Sequence, residues 1–394
     1  MKFRPRYLLY LLSALALFNF AKWSIHFISS EYRPLDFRTY YLAGEAYQAG
    51  MNPWDEKASE QIWQSYDSCT TGEWKTGIGI PHAAVVYSPQ FIWFFKPFNA
   101  FEFTSSKWLQ FGLNIIFLFG ICYLISKLNP LLKLHQIAIA LAAFRGTWFA
   151  LDNGQPIIAV SFIILLALYC SREKEKPLLS GLLLGIIGFK FTLLIPIVIW
   201  LLLNRRYKTI VMIILTGLSL NLPIIIFHKA YLYTWIDNMD RMWMYINSGE
   251  TNGLSIINCN AIANIVKVDV SVLKPLSSVI YLSSFAYIFI KLKLKKIAYH
   301  EALFLLALTE ICFGQHLMYD LLLLISIFAI TDFKQNIWIT WPLILALTFP
   351  IGSLAEKINF PELNYVLPFA LLAYWIYVQS TLPPSKYKEI KNPS

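Results

Sequence analysis

Eight ionisable residues interrupt or border apolar stretches of this chain: Asp36, Arg38, Arg145, Asp152, Lys190, Glu310, His316 and Asp320. A charge at membrane depth is costly, so each one invites a functional reading. Asp36 stands in PLDFRTYYLAGEAYQAGMNPWD (34–55), directly after the first apolar run. A carboxylate there could take a proton from a hydroxyl as general base. The competing reading is the cap of a helix expected over 37–49. Lys190 breaks the run GLLLGIIGFKFTLLIPIVIW and could hold a phosphate as a point charge or snorkel to the headgroups. Arg145, in AAFRGTWF, carries the same two readings, with a fork better shaped for a bidentate phosphate contact. His316 has Tyr319 and Asp320 within one helical turn, and Asp320 at i+4 could orient its imidazole. A structural histidine is the competing reading. Glu310 is compatible with a buried neutral acid.

The elements that must position these groups are membrane helices. The chain has 394 residues, of which 57% are hydrophobic and only 14% charged. A soluble interior is too small to hide that much apolar surface. Several runs reach the ~20 residues needed to cross the hydrocarbon core as helix, and none alternates as barrel strands do. Candidate spans fall at 7–28, 107–126, 136–151, 156–170, 178–189, 191–203, 208–227, 276–291, 300–313, 316–331, 337–351 and 364–380. In the first, the small-x-small site Ala14–Ala16 lies inside the apolar run, so the segment reads as an uncleaved span.

With twelve spans, every basic cluster falls on one side, which the positive-inside rule makes cytoplasmic, with both termini. These clusters are Lys2/Arg4/Arg6, Lys127/Lys133, Arg172/Lys174/Lys176, Arg205/Arg206/Lys208, Lys291/Lys293/Lys295/Lys296, Lys334 and Lys386/Lys388/Lys391. The outer side receives two long loops, 29–106 and 228–275, and with them Asp36, Arg38, Asp152, Lys190 and His316. Arg145 sits within its short span, near the outer end. Residues 235–246 read as an interfacial amphipathic helix, with Trp235, Met239, Met242, Trp243 and Ile246 opposite Asp237, Asn238, Asp240 and Arg241. The net charge of +10 resides in the loops and sets orientation, so nucleic acid is not an expected partner. The five cysteines have no metal spacing. Cys122, Cys170 and Cys312 read as core residues, while Cys69 and Cys259 fall in the long loops. There is no GxxxxGK[ST] loop, no GxGxxG turn and no HExxH. An enzyme of this kind would need an activated substrate that lives in the lipid.

Residues 36–55 resemble the first outer loop of glycosyltransferase family 87, membrane enzymes of the GT-C class that include bacterial polyprenol-phosphate-mannose-dependent mannosyltransferases. The family pattern runs Asp, Tyr-Tyr, Ala-Gly, Gly and Pro-Tyr-Asp, with Trp54 in place of the last Tyr. VYSPQFIWFFKPF (86–98) is similar to its Tyr-x-Pro followed by a second Pro. LDNGQPIIAV (151–160) resembles its Gly-Gln-x-Asn, with Ile157 where Asn is usual. FKFTLLIPIVIWLLLNRRYK (189–208) resembles a Lys-Pro followed by a span and a basic loop, with Phe191 for Pro. NGLS (252–255) and FGQHLMYD (313–320) resemble the two later outer motifs.

The resemblance implies an all-α polytopic membrane protein, GT-C-like, with ten to twelve spans in a single transmembrane domain over 1–394. It implies transfer of a hexose, mannose by analogy, from a polyprenyl-phosphate donor to a lipid or glycan acceptor on the extracytoplasmic face of a bacterial inner membrane. Asp36 would be the acceptor-activating base, with His316 as runner-up. Lys190, Arg145 and Arg38 would hold the donor phosphate, and Tyr40, Tyr41, Tyr87 and Gln155 would line the sugar pocket. No cofactor is implied; some GT-C relatives use a divalent metal, which the single clear carboxylate here does not indicate. Two other classes stay open: a transporter or flippase of lipid-linked sugars, and a polysaccharide ligase using a lipid-diphosphate donor.

Overall fold

The computed structural model describes residues 5–29, 34–55, 57–58, 61–62, 87–172, 174–247, 270–294, 296–313, 320–330 and 366–381. Among the described residues the structure is helical, without strands. The order is α1 (Pro5–Ser29), α2 (Leu35–Gln48), α3 (Phe91–Phe95) with a 3₁₀ turn (Lys96–Ala100), α4 (Phe103–Leu128), α5 (Leu134–Ala143), α6 (Arg145–Asn153), α7 (Ile157–Arg172) and α8 (Pro177–Ile186). A second 3₁₀ turn (Gly188–Lys190) leads into α9 (Phe191–Leu203), followed by α10 (Tyr207–Phe227), α11 (Lys229–Asn247), α12 (Val270–Lys293), α13 (Tyr299–Phe313), α14 (Leu321–Ile330) and α15 (Val366–Thr381). Most of the apolar runs read from the sequence reappear as these helices. The run 337–351 lies outside the described residues.

One expected span is broken, and two expected as separate meet at a sharp bend. Residues 136–151 are not one helix: α5 and α6 meet at Phe144 with a 67° bend, and Arg145 opens the second piece. α8 and α9 meet at a 73° bend around Ile187 and Gly188. Among the described residues two helices, α4 and α10, can each cross a membrane by length and composition, or up to four spans if each bent pair is one. Their outer faces are apolar and exposed, as with Ile116, Phe119 and Tyr123 on α4 and Val211, Leu218 and Leu222 on α10. An apolar face of that extent on a well-packed helix suits lipid, not water. α13 is the opposite case: Glu301 through Cys312 are all buried, with α9, α12, α14 and α15 packed around it.

Close packing fixes directions. A side chain at Gly181 would meet the Thr209 carbonyl at 2.4 Å, and one turn on, a side chain at Gly185 would meet Thr216 Cβ at 2.5 Å. The small-xxx-small spacing lets the backbones touch, and the two numberings rise in step, so α8 and α10 run parallel. α9 therefore carries the chain back, leaving Lys174 and Lys176 at the same end as Arg205, Arg206 and Lys208. Asn129 Nδ2 donates to the Ala329 carbonyl at 2.7 Å, which joins the basic end of α4 to the end of α14. α4, α7 and α8 carry or adjoin basic residues at one end, which Asn129 joins to the end of α14, while Gln110, with Lys107 one turn before it, and Gln155, Lys190 and Asp320 mark the other.

Candidate active site

α2 is short and lies outside the apolar runs, yet most of its surface is buried. Phe37, Tyr40 and Tyr41 pack into an aromatic cluster with Phe91, Phe95, Phe98 and Phe103. Asp36 does not cap this helix: the N-cap is Pro34, without a side-chain cap, and Asp36 lies within the first turn. The sequence MNPWD that follows is pinned by α11. Asn52 donates to Thr234 Oγ1 at 2.8 Å, Tyr231 to the Gly50 carbonyl at 3.3 Å and Asn238 to the Trp54 carbonyl at 2.7 Å. Trp54 in turn donates from its indole to the Tyr87 carbonyl at 3.0 Å. Asn238, expected on the polar outer face of an interfacial helix, is thus buried, because an unpaired carbonyl at Trp54 needs a donor there. Asp237 and Arg241 are exposed and ion-paired at i,i+4.

Gly154 brings the second half of the site to the first. It ends α6 in the left-handed region at φ 65°, and a side chain there would sit 2.6 Å from Phe37 Cβ and 3.0 Å from Pro34 Cβ. Only glycine gives both that backbone turn and that approach. The next residue, Gln155, then reaches α2. Its Nε2 donates to Asp36 Oδ2, and its Oε1 lies 3.3 Å from the Tyr40 hydroxyl and 3.4 Å from the Tyr87 hydroxyl. The two hydroxyls are 3.3 Å apart. Lys190 Nζ stands 5.9 Å from the centre of the Tyr87 ring and forms a buried ion pair with Asp320. Asp36, Gln155, Tyr40, Tyr87, Lys190 and Asp320 therefore make one connected polar group, drawn from five separate parts of the chain.

Burial pushes the Asp36 carboxyl up to about 6; the Gln155 hydrogen bond and the charges of Lys190 and Arg38 pull the other way. Burial also raises the Tyr87 hydroxyl above its usual range. A carboxylate poised near neutrality accepts a proton and releases it again, while an ammonium nearby can offset negative charge.

The other residues singled out by sequence are placed as follows. Arg38 is buried in α2 and acts on Asp36 through its charge. Arg145 is half-buried at the start of α6, and the charges acting on Asp36 are those of Lys190 and Arg38. Tyr41 turns away from Gln155, its hydroxyl donating to the Phe101 carbonyl at 2.9 Å. Asp320, read from the sequence as orienting His316, forms an ion pair with Lys190. His316 lies outside the described residues, as do Cys69 and Cys259. Glu310 is buried on α13 and accepts a hydrogen bond from Tyr281, apart from the group around Asp36. Cys122, Cys170 and Cys312 are buried and form no disulfide. Among the described residues no three His, Cys, Asp or Glu side chains gather as a metal site would need.

One participant was missed in the sequence, Gln90, which joins the YSP turn to α8 and α10 by side-chain and backbone hydrogen bonds. The only signal for it was an amide beside the Tyr-x-Pro motif. No curated protein and no solved structure matches the chain. The sequence profile of glycosyltransferase family 87 matches residues 86–290. That is just over half of the chain and includes Tyr87, Gln155 and Lys190, although the stretch 36–55 lies before it and 313–320 beyond it. On that match, the chain belongs to glycosyltransferase family 87.

Proposed function

We propose that the protein transfers a hexose, mannose by analogy with its family, from a polyprenyl-phosphate donor to a hydroxyl of a lipid or glycan acceptor. The observation that carries this reading is the single polar group with Asp36 at one end and Lys190 at the other, linked through Gln155 and Tyr87. A transferase of this kind needs a base for the acceptor and a cation for the leaving phosphate, and here both project from helix ends at one level. The acceptor oxygen attacks the anomeric carbon as Asp36 takes its proton. The bond from that carbon to the phosphate oxygen breaks, and its electron pair leaves with the polyprenyl phosphate. Lys190 and Arg38 offset the charge on the departing phosphate. Engagement of Asp320 does not bar Lys190 from a phosphate oxygen, since an ammonium carries three donors. The displacement is single and inverting, and it requires no covalent enzyme intermediate and no nucleotide.

The basic ends of α4, α8, α10 and α14 face the cytoplasm in this reading, which sets Asp36 and Lys190 on the extracytoplasmic side of a bacterial inner membrane. His316, Arg145, Tyr40 and Tyr41 remain candidates for the acceptor and donor surroundings. The experiment is transfer from a radiolabelled polyprenyl-phosphate hexose by the purified protein in detergent, wild type beside Asp36→Asn. Product from wild type and none from the variant supports the reaction and the base. Equal rates would move the base to His316. No transfer from any monophosphate donor would favour a transporter, or a ligase if a lipid-diphosphate donor then works.

A further inference from the structure

The broken turn between α8 and α9 is what aims Lys190, and it is not self-supporting. A helix that stops abruptly leaves its last carbonyls without partners, and away from water each such group is costly. Here a side chain from elsewhere supplies the partner. Gln90 is buried, and its Nε2 donates to the Gly185 carbonyl at 3.1 Å and the Ile186 carbonyl at 3.3 Å. The same residue is locked to α10 by a reciprocal pair: its backbone N–H donates to Asn221 Oδ1 at 2.9 Å, and Asn221 Nδ2 donates to Gln90 Oε1 at 2.7 Å. Trp93 adds a third tie, from its indole to the Leu220 carbonyl at 2.7 Å. At Gly188 a side chain would come within 2.8 Å of the Gln90 amide, so the turn is closed tightly over it.

Gln90 lies three residues after Tyr87, and Gly188 two residues before Lys190. The amide thus joins, through two short stretches of backbone, the ring and the ammonium that face each other across the site. We infer that Gln90 is a positioning residue for Lys190, holding the α8–α9 break so that the ammonium stays beneath Tyr87. This rests on the reading of Lys190 as the cation for the donor phosphate. Gln90 itself touches no reacting atom, so its loss should be felt through the placement of Lys190 against Tyr87.

The test uses the full chain in detergent with a polyprenyl-phosphate hexose as varied substrate. Gln90→Met keeps the length of the side chain and removes the amide. With the placement of a single ammonium at stake, the donor KM should rise about tenfold, while the acceptor KM stays as in wild type. In a Lys190→Gln background the same substitution should add less than about twofold, because the group it positions is already gone. An unchanged donor KM in folded Gln90→Met overturns the inference, and so does a full effect repeated on top of Lys190→Gln. If Gln90→Met does not fold, Asn221→Ala removes both ties that fix the Gln90 amide, the donor to its Oε1 and the acceptor of its backbone N–H, so the carbonyl caps lose their anchor; an unchanged donor KM there overturns the inference equally. A wild type that uses no polyprenyl-phosphate sugar removes the reading on which the inference stands, and the inference with it. Transfer by wild type with an unaffected Gln90→Met removes the inference alone.

Discussion

Replacing Gln155 with Leu takes away the side-chain hydrogen bond that favours ionised Asp36 and keeps a side chain of similar bulk. Burial already holds this carboxyl at about 6 against an ordinary 3.8, with Gln155, Lys190 and Arg38 opposing it. A hydrogen bond to a charged group contributes roughly 1.5–3 kcal/mol, which is roughly one to two pH units. The acid limb of kcat/KM should therefore move from about 6 to roughly 7–8. The sign follows from the role: a base works ionised, so raising its pKa lowers activity on the acid side and spares the alkaline side. At pH 7 the ionised fraction should fall from about nine-tenths to somewhere between about a half and a tenth. The Tyr40 and Tyr87 hydroxyls, 3.3 Å apart, keep each other as partners. The assay is initial-rate transfer from a labelled donor across pH 5–9, wild type and variant. A limb that stays where it was would refute the reasoning, as would a loss equal at every pH, since that would mean Gln155 sets geometry and not charge.

Asp36 also sets stability. A carboxyl whose pKa is raised in the folded state opposes folding once ionised; the penalty is absent below about 3.8, grows as the pH rises, and is complete above about 6, reaching at most about 3 kcal/mol. Asp36→Asn should thus melt higher than wild type at about pH 8 and match it at about pH 4 in thermal scans, while losing transfer; a lower midpoint at the higher pH would contradict the burial argument. Lys190→Met leaves Asp320 buried without its counter-charge and should cost about 3–5 kcal/mol. The double variant Lys190→Met/Asp320→Leu should regain most of that stability and still transfer no sugar. Wild-type transfer by the double variant would reduce Lys190 to a structural charge. Gly154→Ala combines a left-handed backbone with a clash against Phe37 and Pro34, together about 2–4 kcal/mol. Gly112→Ala, which would meet nothing within 4 Å, should be neutral or stabilise by up to ~1 kcal/mol; if both glycine variants melted alike, close approach at Gly154 would not matter.

Local pattern alone was enough for the helical class and for most helix positions. The run 107–126 became Phe103–Leu128 and 208–227 became Tyr207–Phe227, because a long apolar stretch specifies a helix from within itself. A helix over 37–49 was legible with Asp36 as its cap, although α2 starts at Leu35 and takes Asp36 into its first turn; Asp36 and Lys190 stood out as charges beside apolar runs. The break at Phe144 was not legible, since the hydrophobic pattern runs through it; the boundary near Lys190 was read between 178–189 and 191–203, but not the partner that closes it, Gln90 at the carbonyls of α8. Asn238 was assigned to an outer polar face because periodicity records which residues share a side, and not what packs there. Asp320 drew attention through its nearness to His316, which lies outside the described residues; its ion pair with Lys190, 130 residues away, could not be read from the sequence. Residue type and spacing determined which groups could carry charge and do chemistry. Which of them face one another was decided by the tertiary structure, because a buried charge or amide must find its partner among whatever the packing of other helices brings within about 3 Å.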